Sequence, residues 1–151
     1  MQLTSFSTPP LVAAFIGLVG VALPAGARAQ TWDGGGADDA WTTANNWNPN
    51  GVPGSADTVT FDSTSTANST VDASFAGTIT TLSINAGYTG TLTLARSLTV
   101  TTYTQAAGTF DLSSQSLTVS GGFTISGGTF TEGTSTVTFS GGAATIDVVT
   151  N

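Results

Sequence analysis

The chain has 151 residues, 19 of them Gly, with no Cys, no His, two basic residues and nine acidic ones, for a net charge of −7. That composition excludes thiolate metal sites, thiol nucleophiles, a disulfide framework and all histidine acid–base or metal chemistry. So few cations also make nucleic acid and anionic membranes poor partners, because phosphate binding needs Lys and Arg to displace counterions.

The first 30 residues differ from the rest. Leu11 to Leu23 is an unbroken run of apolar and small residues without a charge. It is shorter than the roughly 20 residues that span a bilayer as a helix. Pro24 ends any helix there. Ala27-Arg28-Ala29 then places small residues at the −3 and −1 positions of a leader-peptidase site, with cleavage before Gln30. Residues 1–29 are therefore expected to be a secretory signal peptide, and the mature part to be secreted, extracellular or displayed at the outer cell surface. One element departs from the pattern: Met1 to Pro10 carries no Lys or Arg. The mature part would keep Arg96 as its basic residue and is not expected to span a membrane.

Residues 30–70 form a Trp-rich zone. It holds Trp32, Trp41 and Trp47, the run Gly34-Gly35-Gly36, and turn signals at Asn50-Gly51 and Pro53-Gly54. No helical period is present. The zone reads as an irregular N-terminal cap leading into a strand over Thr58 to Phe61.

Residues 71–151 alternate apolar side chains with Thr or Ser in short runs: Ile79 to Ile84, Thr91 to Leu94, Ser97 to Thr101, Ser116 to Ser120, Phe123 to Ser126 and Thr136 to Phe139. Period-two alternation puts the apolar set on one face and the hydroxyls on the other. Gly pairs at 121–122, 127–128 and 141–142 separate the later runs. The runs also recur at a fixed distance. Leu98 returns as Leu117, Gly108-Thr109-Phe110 as Gly128-Thr129-Phe130, and Ser120-Gly121-Gly122 as Ser140-Gly141-Gly142. A period near 20 signals a solenoid. One unit, Ser116 to about Ser135, holds three short β runs, which suits a three-sided coil stacked at about 4.8 Å. The fold class expected is all-β, a parallel β-helix. The alternative is an antiparallel β meander or sandwich, since Gly-Gly between alternating runs is also a hairpin signal.

The pattern W-D-G-G-G-x-D-D-x-W-x-x-A-x-N-W-x-x-x-x-x-P-x-x-x-D-x-V-x-F, from Trp32 to Phe61, resembles the mature N-terminus of bacterial surface proteins with autotransporter-associated β-strand repeats. The Ser/Thr/Gly repeats after it are similar to those passengers and to filamentous-haemagglutinin-like β-helices. The resemblance implies a right-handed β-helix at the cell surface. Such passengers are usually far longer. The expectation is a solenoid truncated at its C-terminus, continuing in a longer protein into further coils or an anchor.

Several residues invite a functional reading. The rings of Trp32, Trp41 and Trp47 are candidates for stacking on sugars; filling and closing the open end of the core is the reading preferred for them. Asp33, Asp38 and Asp39 around the glycines are candidates for Ca²⁺, but their spacing matches neither an EF-hand loop nor a nonapeptide Ca²⁺ turn, and a solvated acidic loop is preferred. Asp57 and Asp62 flank a strand and read as turn or cap residues. A pair of carboxylates is the minimum for glycoside cleavage, yet one Arg and no Lys or His leave almost nothing to stabilise developing charge. The pairs Thr91/Thr93, Thr99/Thr101, Thr129/Thr131 and Thr136/Thr138 suggest an ice-binding array, but they recur 8 and 7 residues apart, unevenly for one flat face. Asn68-Ser69-Thr70 matches a glycosylation acceptor that matters only in a eukaryotic host. The chain is thus expected to be a non-enzymatic structural or adhesin-type segment without cofactor or metal, whose partners are a host or matrix surface or a polysaccharide. The alternatives are a carbohydrate-binding or carbohydrate-active β-helix and, third, an ice-binding solenoid.

Overall fold

The computed structural model describes residues 26–142 and 145–148. The apolar run Leu11 to Leu23 lies outside the described residues. In chain order the strands are β1 (Ala29–Trp32), β2 (Trp47–Asn48), β3 (Thr58–Phe61), β4 (Ser69–Val71), β5 (Thr81–Ile84), β6 (Thr91–Leu94) and β7 (Leu98–Val100). They continue as β8 (Thr102–Gln105), β9 (Thr109–Asp111), β10 (Leu117–Val119), β11 (Gly122–Ile125), β12 (Thr129–Thr131), β13 (Val137–Phe139) and β14 (Thr145–Val148). A 3-10 turn at Ala44–Asn46 is the one helical piece among the described residues, and no helix there is long and apolar enough to cross a membrane.

The strands form three sheets. The first runs β14-β11-β8-β5-β3-β1-β2, the second β13-β10-β7, and the third β12-β9-β6-β4. Every neighbouring pair is parallel except β1 with β2. The chain visits the three sheets in turn and then repeats, so the architecture is a parallel β-solenoid. The meander alternative fails on this pairing. The repeat seen in the sequence is the stacking register: Leu117 lies beside Leu98 and Val137, and Phe130 beside Phe110.

Alternation decides which side chains enter. In β3, β5, β6 and β8 the second and fourth residues are buried while the first and third are half-exposed. Val59, Leu82, Tyr103 and Phe123 form one inward column, and Leu98, Leu117 and Val137 another. Aliphatic and aromatic columns of this kind hold the coils together, each buried side chain contributing roughly 1.5–3 kcal/mol.

The corners are where Gly is required. Gly128 has φ +81°, and a Cβ there would meet Ala107 O at 2.5 Å. The corner between β7 and β8 has no Gly at all. There the inward positions shift from Val100 to Tyr103, a step of three, which marks a bend at Thr101, the end of the run Ser97 to Thr101; β8, just after it, was not read from the alternation. The strand β3 lies within residues 30–70, β1 starts one residue before that zone and β4 ends one residue after it, so the solenoid pairing starts before Val71.

The N-terminal end is closed. The short β2 turns back antiparallel on β1, and the segment Asp39 to Trp41 lies over β4 through Thr70 N–H to Asp39 O and Trp41 N–H to Thr70 O. Beneath this lid lies an aromatic plug. The Trp47 ring meets Trp32 and Trp41 edge-on, each at 5.2 Å between centroids. The Phe61 ring lies 5.8 Å from Trp32, 6.1 Å from Trp41 and 5.0 Å from Tyr88.

Candidate functional site

The most regular surface of the molecule is the outer side of the first sheet. Register aligns Thr31, Thr60, Ser83, Thr104 and Thr124 in one column across five coils. Two residues along each strand, Thr58, Thr81 and Thr102 form a second column. The columns stand about 6.6 Å apart and successive coils about 4.8 Å apart, as parallel strand geometry dictates. Thr recurs here because its β-branch suits a strand and holds χ1 nearly fixed, so each hydroxyl is presented in a defined direction.

One pair of neighbouring hydroxyls in the first column bonds directly: Thr104 Oγ1 donates to Ser83 Oγ at 3.1 Å. Each hydroxyl carries one donor and two acceptor positions, so such a bond leaves capacity free on both. The columns bear no charge between Thr31 and Thr124. Asp147 follows them at the β14 edge. The chemistry offered is an in-register array of neutral donors and acceptors, able to order water or to meet another hydroxylated surface.

The other sheets carry thinner versions. On the third sheet Thr91, Thr109 and Thr129 align, while the neighbouring column Thr70, Thr93, Asp111 and Thr131 is interrupted by a carboxylate. On the second sheet a single column runs through Thr78, Thr99, Thr118 and Thr138. The Thr pairs singled out in the sequence are spread over these two sheets. Their uneven spacing along the chain therefore says nothing about the first sheet, whose pairs are Thr58/Thr60, Thr81/Ser83 and Thr102/Thr104.

The three Trp do not face outward. Trp32 is 1 % exposed and Trp41 and Trp47 are 0 % exposed. Their indole N–H groups donate internally, Trp32 to Ala67 O at 3.3 Å, Trp41 to Ser69 Oγ at 2.8 Å and Trp47 to Trp41 O at 2.9 Å. No ring face is left for a sugar, which corrects the ligand-stacking candidacy of Trp32, Trp41 and Trp47. Burying an aromatic ring at the open end of a core removes more apolar area from water than any other choice of side chain.

The acids of the cap hold turns. Asp33 accepts from Gly35 N–H at 3.0 Å, Asp38 from Ala40 N–H at 3.1 Å, and Asp39 from the Thr70 hydroxyl at 2.9 Å. The Thr43 hydroxyl, the Ala40 N–H and Asn46 draw the Asp38 carboxyl below its ordinary value against a small burial effect. Asp62 is lowered by the Thr64 hydroxyl and N–H, the turn role expected of it. Among the described residues no three metal-ligating side chains converge and no pocket opens.

Three buried polar residues were not singled out by their position in the sequence. Asn46 accepts from Gly36 N–H at 2.8 Å and donates to Asp38 O at 3.0 Å and Ala40 O at 2.9 Å, tying the lid together. Gln105 sits at an inward position of β8, accepts from the Tyr103 hydroxyl at 2.6 Å and donates to Thr129 O at 2.9 Å in the next coil. Gln30 is fully buried, and neither its Nε2 nor its Oε1 has a partner. The signal for Gln105 is an amide at a place where the alternation of β8 demands an apolar residue, whereas Asn46 ends a 3-10 turn where no alternation applies.

Residues 31–132 match the family described as Domain of unknown function (DUF8693). The chain belongs to this family. The DUF8693 match starts in β1 and ends just after β12, so it takes in the Trp lid and the hydroxyl columns together. No curated protein and no solved structure matches the chain.

Proposed function

We propose that this DUF8693 chain is an exported, surface-displayed β-solenoid segment, passenger-like, acting as a stalk and adhesin-type contact surface. The observation that carries the reading is the pair of in-register hydroxyl columns on the first sheet. Stacked coils extend the molecule along one axis, and the columns present neutral hydroxyls along its length. Many weak, repeated contacts to a hydroxylated surface add through multivalency rather than through a single pocket. The apolar run and small residues before Gln30 support export, and the resemblance of Trp32 to Phe61 to autotransporter-associated proteins supports display.

The test is retention of protein-coated beads on cellulose, chitin and collagen layers under flow. Wild-type beads should be held on at least one layer. A Thr60→Lys/Thr104→Lys variant with unchanged circular dichroism should be released. Equal retention of both proteins, or of uncoated beads, would refute the contact-surface reading.

A second reading rests on the same register. Pairs of hydroxyls at constant spacing on one flat sheet order the first water layer, and this favours ice binding more than the sequence spacing did. Ice growing in the protein's presence would then develop facets, and Thr60→Lys/Thr104→Lys would restore unshaped growth.

A further inference from the structure

Two overlapping triplets satisfy the small-x-small rule of leader peptidases. Ala27-Arg28-Ala29 directs cleavage before Gln30, and Ala25-Gly26-Ala27 directs cleavage before Arg28. The sequence does not separate them, but the folded chain does. Arg28 N–H donates to Asp57 Oδ1 at 2.8 Å, and its guanidinium reaches Asp57 Oδ2 and Val52 O, each at 3.2 Å. Arg28 O accepts from Thr58 N–H at 2.8 Å, which starts the β1–β3 ladder. The Asp57 side chain is only 3 % exposed. It also anchors the turn before β3 through Gly54 N–H at 2.8 Å. The Arg28 side chain is itself 44 % exposed, so its hold on Asp57 rests on these bonds; Gly26 and Ala27 are exposed too, and a Cβ on Gly26 would touch nothing within 4 Å.

Cleavage before Gln30 would remove Arg28 and leave a buried carboxylate without its cation, a costly arrangement. Thr58 N–H would lose its acceptor as well. Cleavage before Arg28 keeps every one of these contacts and strengthens one. Water hydrolyses the Ala27–Arg28 amide, the carboxylate stays on Ala27, and the nitrogen already 2.8 Å from Asp57 Oδ1 becomes an α-ammonium. A hydrogen bond charged only on its acceptor is thereby turned into an ion pair charged on both partners.

We infer that the mature protein begins at Arg28, with its new α-ammonium docked on Asp57. The inference rests on the export part of the proposed function. The chain has no Lys, since its two basic residues are Arg28 and Arg96, so the α-amine is the single primary amine of the mature protein. An amine-reactive ester reports on it alone.

The experiment is expression of the full chain in a bacterium with a general secretory pathway, followed by intact mass, N-terminal sequencing and ester labelling of the folded product. The expected product starts at Arg28. Its amine labels several-fold more slowly than that of an Asp57→Asn variant, or than that of the same protein in denaturant. Ala29→Phe, at an exposed site in β1, blocks the downstream triplet only and should leave an Arg28 start. A product starting at Gln30, or at its cyclised form, overturns the inference while leaving export intact. An Arg28 amine that labels equally fast folded and unfolded overturns the docking. A chain retaining residues 1–27 overturns both the inference and the export reading.

Discussion

Phe61→Ala removes the ring on which the N-terminal plug is built. Phe61 is 0 % exposed and lies 5.8, 6.1 and 6.2 Å from the rings of Trp32, Trp41 and Trp47, and 5.0 Å from Tyr88. A buried Phe→Ala change costs about 3–5 kcal/mol from lost transfer energy and residual cavity. The upper half of that range applies here, because the lid above and the coil below are hydrogen-bonded in place and cannot collapse inward. A solenoid's stability is a sum of neighbour terms, so the loss should be local. All three Trp lie in the plug, which makes Trp fluorescence a probe of the cap, while far-ultraviolet circular dichroism reports all coils. In urea the fluorescence midpoint should move well below the dichroism midpoint, whereas in the parent protein the two stay close. Val119→Ala, in β10, should shift dichroism more than fluorescence. If Phe61→Ala costs less than about 1 kcal/mol, or moves both probes equally, the plug is not a separable cap and the reasoning is wrong.

Three further outcomes follow from the polar groups. Gln105→Leu leaves the Tyr103 hydroxyl without its acceptor and removes the amide bond to Thr129 O, and should cost about 1–3 kcal/mol by urea denaturation. Adding Tyr103→Phe should recover part of that loss, and a purely additive double variant would contradict the pairing. Gln30→Leu replaces a buried amide without partners and should stabilise by about 1–2 kcal/mol, read as a higher melting temperature; a lower one would show that the amide is satisfied. Burial pushes the Asp57 carboxyl up, but the N–H groups of Gly54 and Arg28 and the Arg28 charge outweigh it, and its value falls below the ordinary 3.8. A carboxyl lowered in the fold stabilises fully above its unfolded value and loses that contribution as pH falls through the folded one. Urea midpoints should therefore drop below about pH 4 in the parent, and Asp57→Asn should flatten part of that slope.

The fold was legible wherever alternation and repeat coincided. Thr91 to Leu94 is a strand with those bounds, and Leu98, Leu117 and the Phe110/Phe130 pair stack as their spacing demanded. What stayed hidden depended on contacts across many residues. The strand β8 was masked because its corner uses Thr101 where the next coil uses Gly121, so no Gly punctuates it. The strands β1 and β4 are short, and their parallel partners β3 and β6 lie 29 and 23 residues further along the chain. The hydroxyl columns were missed because hydroxyl pairs were compared along the chain, whereas neighbours on a solenoid face belong to the same side of successive coils. The triplet Ala27-Arg28-Ala29 put Arg28 in the expected leader, and its bonds to Asp57, 29 residues away, were not legible in the sequence.

The straight column of outward hydroxyls on the first sheet is the claim on which the surface reading depends. Its ends can be marked in a chain without native Cys by Thr31→Cys and Thr124→Cys carrying nitroxide labels. Four coil steps separate these positions, about 19 Å at the parallel strand spacing. Pulsed electron–electron resonance should give one narrow distance near that value. A broad distribution, or a peak far beyond it, would contradict the stacking of the five coils in register.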